Sequence, residues 1–147
     1  MIIREMNNDD IKNVSVLLND YRMFYHKPNE LDKCEIFLKE RIDNKESQVF
    51  IAELNEEIIG FVQIYSIFST VSLQRAYILN DLFVSENARK TGAGKKLIEK
   101  AFEFAEENAA RYICLETGKD NEKAQRLYEK MGMSIDDMVY HYSKTIN

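Results

Sequence analysis

Two adjoining stretches constrain this chain most: Tyr77-Ile78-Leu79-Asn80-Asp81-Leu82-Phe83-Val84, and the glycine-bearing Arg89-Lys90-Thr91-Gly92-Ala93-Gly94 that follows it. The first is an apolar run of strand length, broken by two polar residues. The second leads into Leu97, Ile98, Ala101, Phe102 and Ala105, which form one apolar stripe at helical spacing. Another apolar run, Tyr112-Ile113-Cys114-Leu115, comes next. The segment therefore predicts a βαβ unit with a right-handed crossover.

Upstream, Ile2 and Ile3 open a short strand, and Asn7, Asn8 and Asp9 supply capping chemistry for a helix carrying Ile11, Val14, Leu17, Leu18 and Tyr21. A second helix is expected over Leu31 to Ile42, bounded by Pro28, with Cys34, Phe37, Leu38 and Ile42 inward. Val49–Ala52 and Ile58–Val62 flank the polar Asn55-Glu56-Glu57 as a hairpin. Downstream, Asn121 to Met131 presents Ala124, Leu127, Tyr128 and Met131 on one helical stripe and stops at Gly132; the alternating Met138-Val139-Tyr140-His141-Tyr142 predicts a last strand. The expected fold is α/β with a mixed sheet, in the order β-α-α-β-β-β-α-β-α-β. Its 147 residues suit a single domain over 1–147.

Glycine next to a helix N-terminus leaves unpaired N–H groups and the positive end of the helix dipole open to a phosphate, and Arg89, Lys90, Lys95 and Lys96 add charge there. A P-loop needs Gly at 89 and Ser or Thr at 96, where the chain has Arg89 and Lys96. The dinucleotide fingerprint needs glycine at 97, which is Leu97. The remaining readings are a phosphate cradle and a simple turn, and the two glycines alone do not separate them.

Composition narrows the partners. A formal net charge of −5 works against binding a phosphate backbone, so no nucleic-acid partner is expected; the same field attracts a cationic amine. Two distant cysteines, Cys34 and Cys114, fit neither a disulfide framework nor metal-ligand spacing, which points to no metal and a reducing cytoplasm. The N-terminal residues turn polar too soon for a signal peptide. No apolar run approaches the roughly 20 residues of a bilayer span, so no membrane partner is expected.

Arg-x-x-Gly-x-Gly after a strand ending Asp-Leu-Phe-Val resembles the pyrophosphate-binding signature of the GNAT superfamily of N-acetyltransferases. Asn121-Glu122-Lys123-Ala124-Gln125-Arg126-Leu127-Tyr128-Glu129-Lys130-Met131-Gly132-Met133 resembles that superfamily's second block, with Met133 in place of its usual aromatic. The element order is similar over nearly the whole chain. The segments Asp20–Tyr25, Phe68–Ser72 and Ile78–Val84 resemble the branch of fungal histone and polyamine acetyltransferases and their bacterial relatives.

The resemblance implies transfer from acetyl-CoA to a primary amine, which is a small amine, polyamine, amino acid or peptide lysine, in a ternary complex without metal. It implies that Leu82-Phe83-Val84 pairs with the pantetheine arm, and that the Leu82 amide faces the thioester oxyanion. Arg89, Lys90, Thr91, Gly92, Ala93, Gly94 and Lys95 would cradle the pyrophosphate, and Asn121 and Ala124 would meet the coenzyme arm. Tyr128 is then the general acid for the departing thiolate, although its position on an apolar stripe equally suits core packing. Asp81 either binds the amine or relays its proton, or satisfies backbone donors at a bulge. Relatives carry Glu where this chain has Asn80, a departure that removes a direct glutamate base. The acceptor pocket implied is Tyr21, Arg22, Tyr25, His26, Glu30 and Tyr140. The long strand around Gln74–Val84 and the C-terminal strand are candidate surfaces for a homodimer, and the alternatives to an enzyme are a catalytically silent CoA-binding regulatory module and an oligomeric interaction domain whose glycine loop is structural.

Overall fold

A computed structural model describes residues Met1–Asn147. The chain divides into two compact units, Met1–Glu116 and Thr117–Asn147. The first is mixed α/β: β1 (Ile2–Glu5), a 3-10 turn (Asn8–Asp10), α1 (Ile11–Phe24), α2 (Leu31–Asp43), β2 (Ser47–Leu54), β3 (Glu57–Ser69), β4 (Gln74–Val84), a second 3-10 turn (Glu86–Ala88), α3 (Ala93–Glu107) and β5 (Ile113–Cys114). The sheet runs in sequence order, antiparallel from β1 to β4, and β5 joins β4 in parallel. No helix is long and apolar enough to cross a membrane.

Most of the helix stripes that periodicity selects are buried, but Phe37, expected inward, is 41% exposed, and Tyr21, Ile42, Phe102 and the stripe of the last helix are only half-buried. Ile11, Val14, Leu17 and Leu18 of α1 pack with Cys34 and Leu38 of α2 against Val49, Ile51 and Phe61, forming the core on one face of the sheet. Leu97, Ile98, Ala101 and Ala105 of α3 are buried too, and Phe104 meets Phe50 and Tyr77 at ring distances of 5.6 and 5.4 Å on the other face. The β2–β3 hairpin closes on Asn55 and Glu56, both with positive φ (51° and 66°), the geometry of a two-residue turn whose twist matches the strands.

One ion cluster ties the start of the chain down. Arg4 grips Asp10 with two nitrogens (2.7 and 2.9 Å) and reaches Glu53 at 2.9 Å, joining β1, the entry to α1 and β2. Asp10 also accepts the Asn7 N–H in a capping box. The Arg4 hydrogen bonds hold the Asp10 carboxyl below the usual carboxylate range. That stabilisation is therefore present above the ordinary aspartate pKa and is lost as pH falls through the lowered folded value. Arg4→Met is expected to cost about 2 kcal/mol by leaving the buried Asp10 without its partner, measured by urea denaturation at pH 7. A change within experimental error would remove the cluster from the account of stability.

The second unit contains α4 (Glu122–Lys130). The Asn121 side chain caps it by accepting from Ala124 N–H at 3.3 Å. Gly132 ends it at φ 89°, with Met133 N–H bonded to Tyr128 O and Gly132 N–H to Glu129 O, the Schellman pattern expected of a glycine stop. The predicted strand at Met138–Tyr142 does not form. Asp136 accepts the Met138 N–H as a turn, Met138, Tyr140 and Tyr142 are all exposed, and the unit holds no other strand whose backbone could complete a ladder. The element order thus ends on α4. The strand expected at Tyr112–Leu115 shortens to Ile113–Cys114.

Candidate active site

The site is built around β4. Along β3 it is paired except at Asn80, but toward β5 only Tyr77 and Ile78 have partners, so Leu79 to Val84 present an open edge. Ser85 N–H donates to Ile59 O of β3. Backbone direction alternates along an extended strand, so the amides of Val84 and Leu82 point away from β3 to the open edge. Gly60 permits the tight β3–β4 approach here, since a Cβ on it would lie 2.8 Å from Phe83 O.

A bulge sets the side-chain faces. Gln63 pairs with Asp81 and Ile64 with Leu79, leaving Asn80 as the extra residue. Without it, Asn80 would oppose Gln63 and Asp81 would turn to the opposite face. With it, Asp81 joins Gln63 and Phe83 on the α1/α2 face, where Tyr21 stands 6.0 Å from Phe83 and 6.4 Å from Phe61 in edge contacts. Asp81 is buried, accepting from Gln63 Nε2 at 2.8 Å and from Asn80 Nδ2 at 3.1 Å, while Ser47 Oγ donates to Gln63 Oε1 at 2.9 Å and orients that amide. Its hydrogen-bond donors are the side chains of Gln63, Asn80 and Tyr21. Burial pushes the Asp81 carboxyl above the usual carboxylate range, against the pull of the Gln63, Asn80 and Tyr21 hydrogen bonds. Burial, with Asp81 nearby, pushes the Tyr65 phenol up to about 12.

Asp81 opens on a cavity of about 340 Å³ whose lining includes Tyr21, Arg22, Glu30, Phe37, Gln63 and Tyr65. Of the acceptor residues expected from the sequence, Tyr21, Arg22 and Glu30 are brought to it. Tyr25 and His26 are not in its lining: both are exposed at the end of α1, where His26 takes a left-handed φ of 61°. Tyr140 belongs to the other unit. The lining also includes Gln63 and Tyr65, which no sequence motif marks, and Phe37, which helical spacing assigns to the core. Gln63 did leave a signal, a lone amide inside the apolar run Ile58–Ile64.

Beyond β4, the Glu86–Ala88 turn leads to the glycine loop. Thr91 Oγ1 donates to Ala88 O at 2.7 Å, and Lys90 (φ 69°) and Gly92 (φ 86°) both lie in the left-handed region. Gly92 is the N-cap of α3 without a side-chain cap, and the first intrahelical amide bond is Lys96 N–H to Gly92 O. The amides of Ala93, Gly94 and Lys95 therefore belong to the turn whose donors find no partner in their own helix. With Arg89, Lys90, Lys95 and Lys96 exposed around them, they suit a diphosphate.

The model of the Acetyltransferase (GNAT) family matches residues 14–133. The chain belongs to the GNAT acetyltransferase family. It is 45% identical over 142 residues to the uncharacterized N-acetyltransferase YhfO of Bacillus subtilis, covering 97% of this chain and 95% of that one. A D-amino-acid N-acetyltransferase of Saccharomyces cerevisiae is 32% identical over 84 residues, covering 57% of this chain and 52% of that protein. Among solved structures, a probable acetyltransferase superposes with a TM-score of 0.95 at 34% identity, covering 100% of this chain and 99% of the other. The expected family, the α/β fold and the enzyme class are thus established: the protein is an acetyltransferase.

Proposed function

We propose that this acetyltransferase moves the acetyl group of acetyl-CoA to a primary amine by direct attack in a ternary complex, and that both units act as one domain. The observation that carries the proposal is the open edge of β4, with its outward Leu82 and Val84 amides, leading directly into the uncapped N-terminus of α3. When bound, acetyl-CoA supplies an activated thioester carbonyl. Leu82, Phe83 and Val84 would hold its pantetheine arm by main-chain hydrogen bonds, and Arg89 to Lys95 its pyrophosphate. The Leu82 amide is the oxyanion donor. Asn121 spends its oxygen on the Ala124 cap, which leaves its amide nitrogen to donate to the arm.

An ammonium with an ordinary pKa near 10.4 must lose a proton before it attacks. Asp81, with its raised pKa, takes that proton directly or through water. Nitrogen bonds to the acetyl carbon, the carbon–sulfur bond breaks, and the Tyr128 hydroxyl protonates the departing thiolate; the proton that nitrogen must still lose to become an amide passes through water and restores the phenol. Support for Tyr128 is its match to the family's Asn-x-x-Ala-x-x-Leu-Tyr block.

Acetyl-CoA is expected to raise the melting temperature in a concentration-dependent way, and a panel of amines should release CoA thiol. No stabilisation at millimolar acetyl-CoA would sink the proposal. Tyr128→Phe is expected to lower kcat about a hundredfold while leaving acetyl-CoA affinity intact. Unchanged turnover with a good acceptor would remove Tyr128 from the acid role.

A further inference from the structure

The lining of the cavity beside Asp81 carries two unlike sets of charges. In one, Asp81 is only 7% exposed, its hydrogen-bond partners Gln63, Asn80 and Tyr21 are all uncharged, and no lysine or arginine forms a salt bridge with it. A buried carboxylate lacking a counter-ion is matched by a cation from outside. In the other set, Arg22 and Lys33 share a single carboxylate, Glu30: Arg22 Nη2 lies 3.0 Å from one oxygen and Lys33 Nζ bonds the other. Two cations on one anion leave a positive charge in excess. Arg22 Nη1 also reaches Pro28 O at 3.5 Å, so the guanidinium is held in place before any ligand arrives.

We propose that the acceptor is a zwitterion, a free α-amino acid, whose ammonium faces Asp81 and whose carboxylate takes the excess charge of Arg22 and Lys33. This inference rests on the acetyl-transfer reading of the site and adds the class of acceptor. A diamine presents its second ammonium to Arg22 and Lys33 and is repelled; a lysine within a peptide has no carboxylate at the required place. The overall charge of −5 favours polyamines at long range, but screening over roughly 8 Å leaves the choice to the cavity's own charges.

The test compares free amino acids of both hands with their C-terminal amides and with short diamines. Thiol release is one readout; the other is calorimetric titration of each acceptor into protein saturated with CoA, which cannot react. Free acids are expected to exceed amides and diamines about tenfold in kcat/KM and in affinity. Arg22→Gln and the exposed Lys33→Gln are each expected to raise KM for the acid about fivefold and to narrow its lead over the amide, with little change in kcat. Amides or diamines that match the acids overturn the proposal, as do variants that weaken acid and amide equally, or acids that fail to bind. Acids that bind best while no acceptor releases thiol uphold the zwitterion site and sink the transferase reading instead.

Discussion

Asp81→Asn is expected to lower acetyl transfer about a hundredfold and, at the same time, to make the protein more stable above neutral pH. Both effects come from one fact: a carboxylate buried among the neutral donors Gln63, Asn80 and Tyr21, where burial raises its pKa. Since the folded pKa lies above the unfolded one, Asp81 favours the folded state while protonated, and that contribution disappears as pH rises through the folded value. Above it, the native state carries a desolvated charge that asparagine lacks. Asparagine keeps the volume and can still accept from Gln63, so the strand pairing is preserved. Thermal melts from pH 4 to 9 should show a gap between variant and parent that opens with pH, and thiol release at pH 8 should show the loss of turnover. A gap that does not change with pH, or near-parental turnover, would refute this account of Asp81.

Gly92 provides the second large effect, through a pair of substitutions. Both Asn and Asp tolerate a left-handed backbone better than other residues with side chains, and a Cβ at Gly92 meets nothing within 4 Å. Gly92→Asn should therefore fold with a modest stability loss and bind acetyl-CoA nearly as well. Gly92→Asp has nearly the same shape but sets a carboxylate against the bound diphosphate. At an effective dielectric of about 20, two unit charges 4 Å apart differ by roughly 4 kcal/mol, so even a partly screened contact weakens binding about a hundredfold. Calorimetric titration of acetyl-CoA into both variants, at low and high salt, measures the difference. Equal affinities for the two would mean that this loop does not hold the diphosphate.

Much of the first unit was legible because its signals are local. The stripes Ile11–Leu18 and Leu97–Ala105 announce helices, and the same residues are buried. Gly132, required to turn left-handed, ends α4 as its identity suggests. The C-terminal strand was misread for a physical reason: alternation at Met138–Tyr142 describes a segment able to pair, but pairing needs a second backbone, and its unit offers none. Gln63 was overlooked because an amide in an apolar run carries no chemistry until its partners Ser47 and Asp81 are known.

By itself the sequence determined the βαβ unit, the glycine loop at the start of its helix, and with them the family. The loop's meaning sits in neighbouring residues, where chain order equals spatial order. The cavity in which Asp81 meets Arg22, Glu30 and Lys33 was decided by tertiary structure. One extra residue at Asn80 sends Asp81 to the α1/α2 face, and the turn between α1 and α2 brings Arg22, Glu30 and Lys33 to the same cavity. A strand side chain has only two faces, and a shift of one residue exchanges them, so no reading of residue types along the chain could say which face Asp81 would occupy.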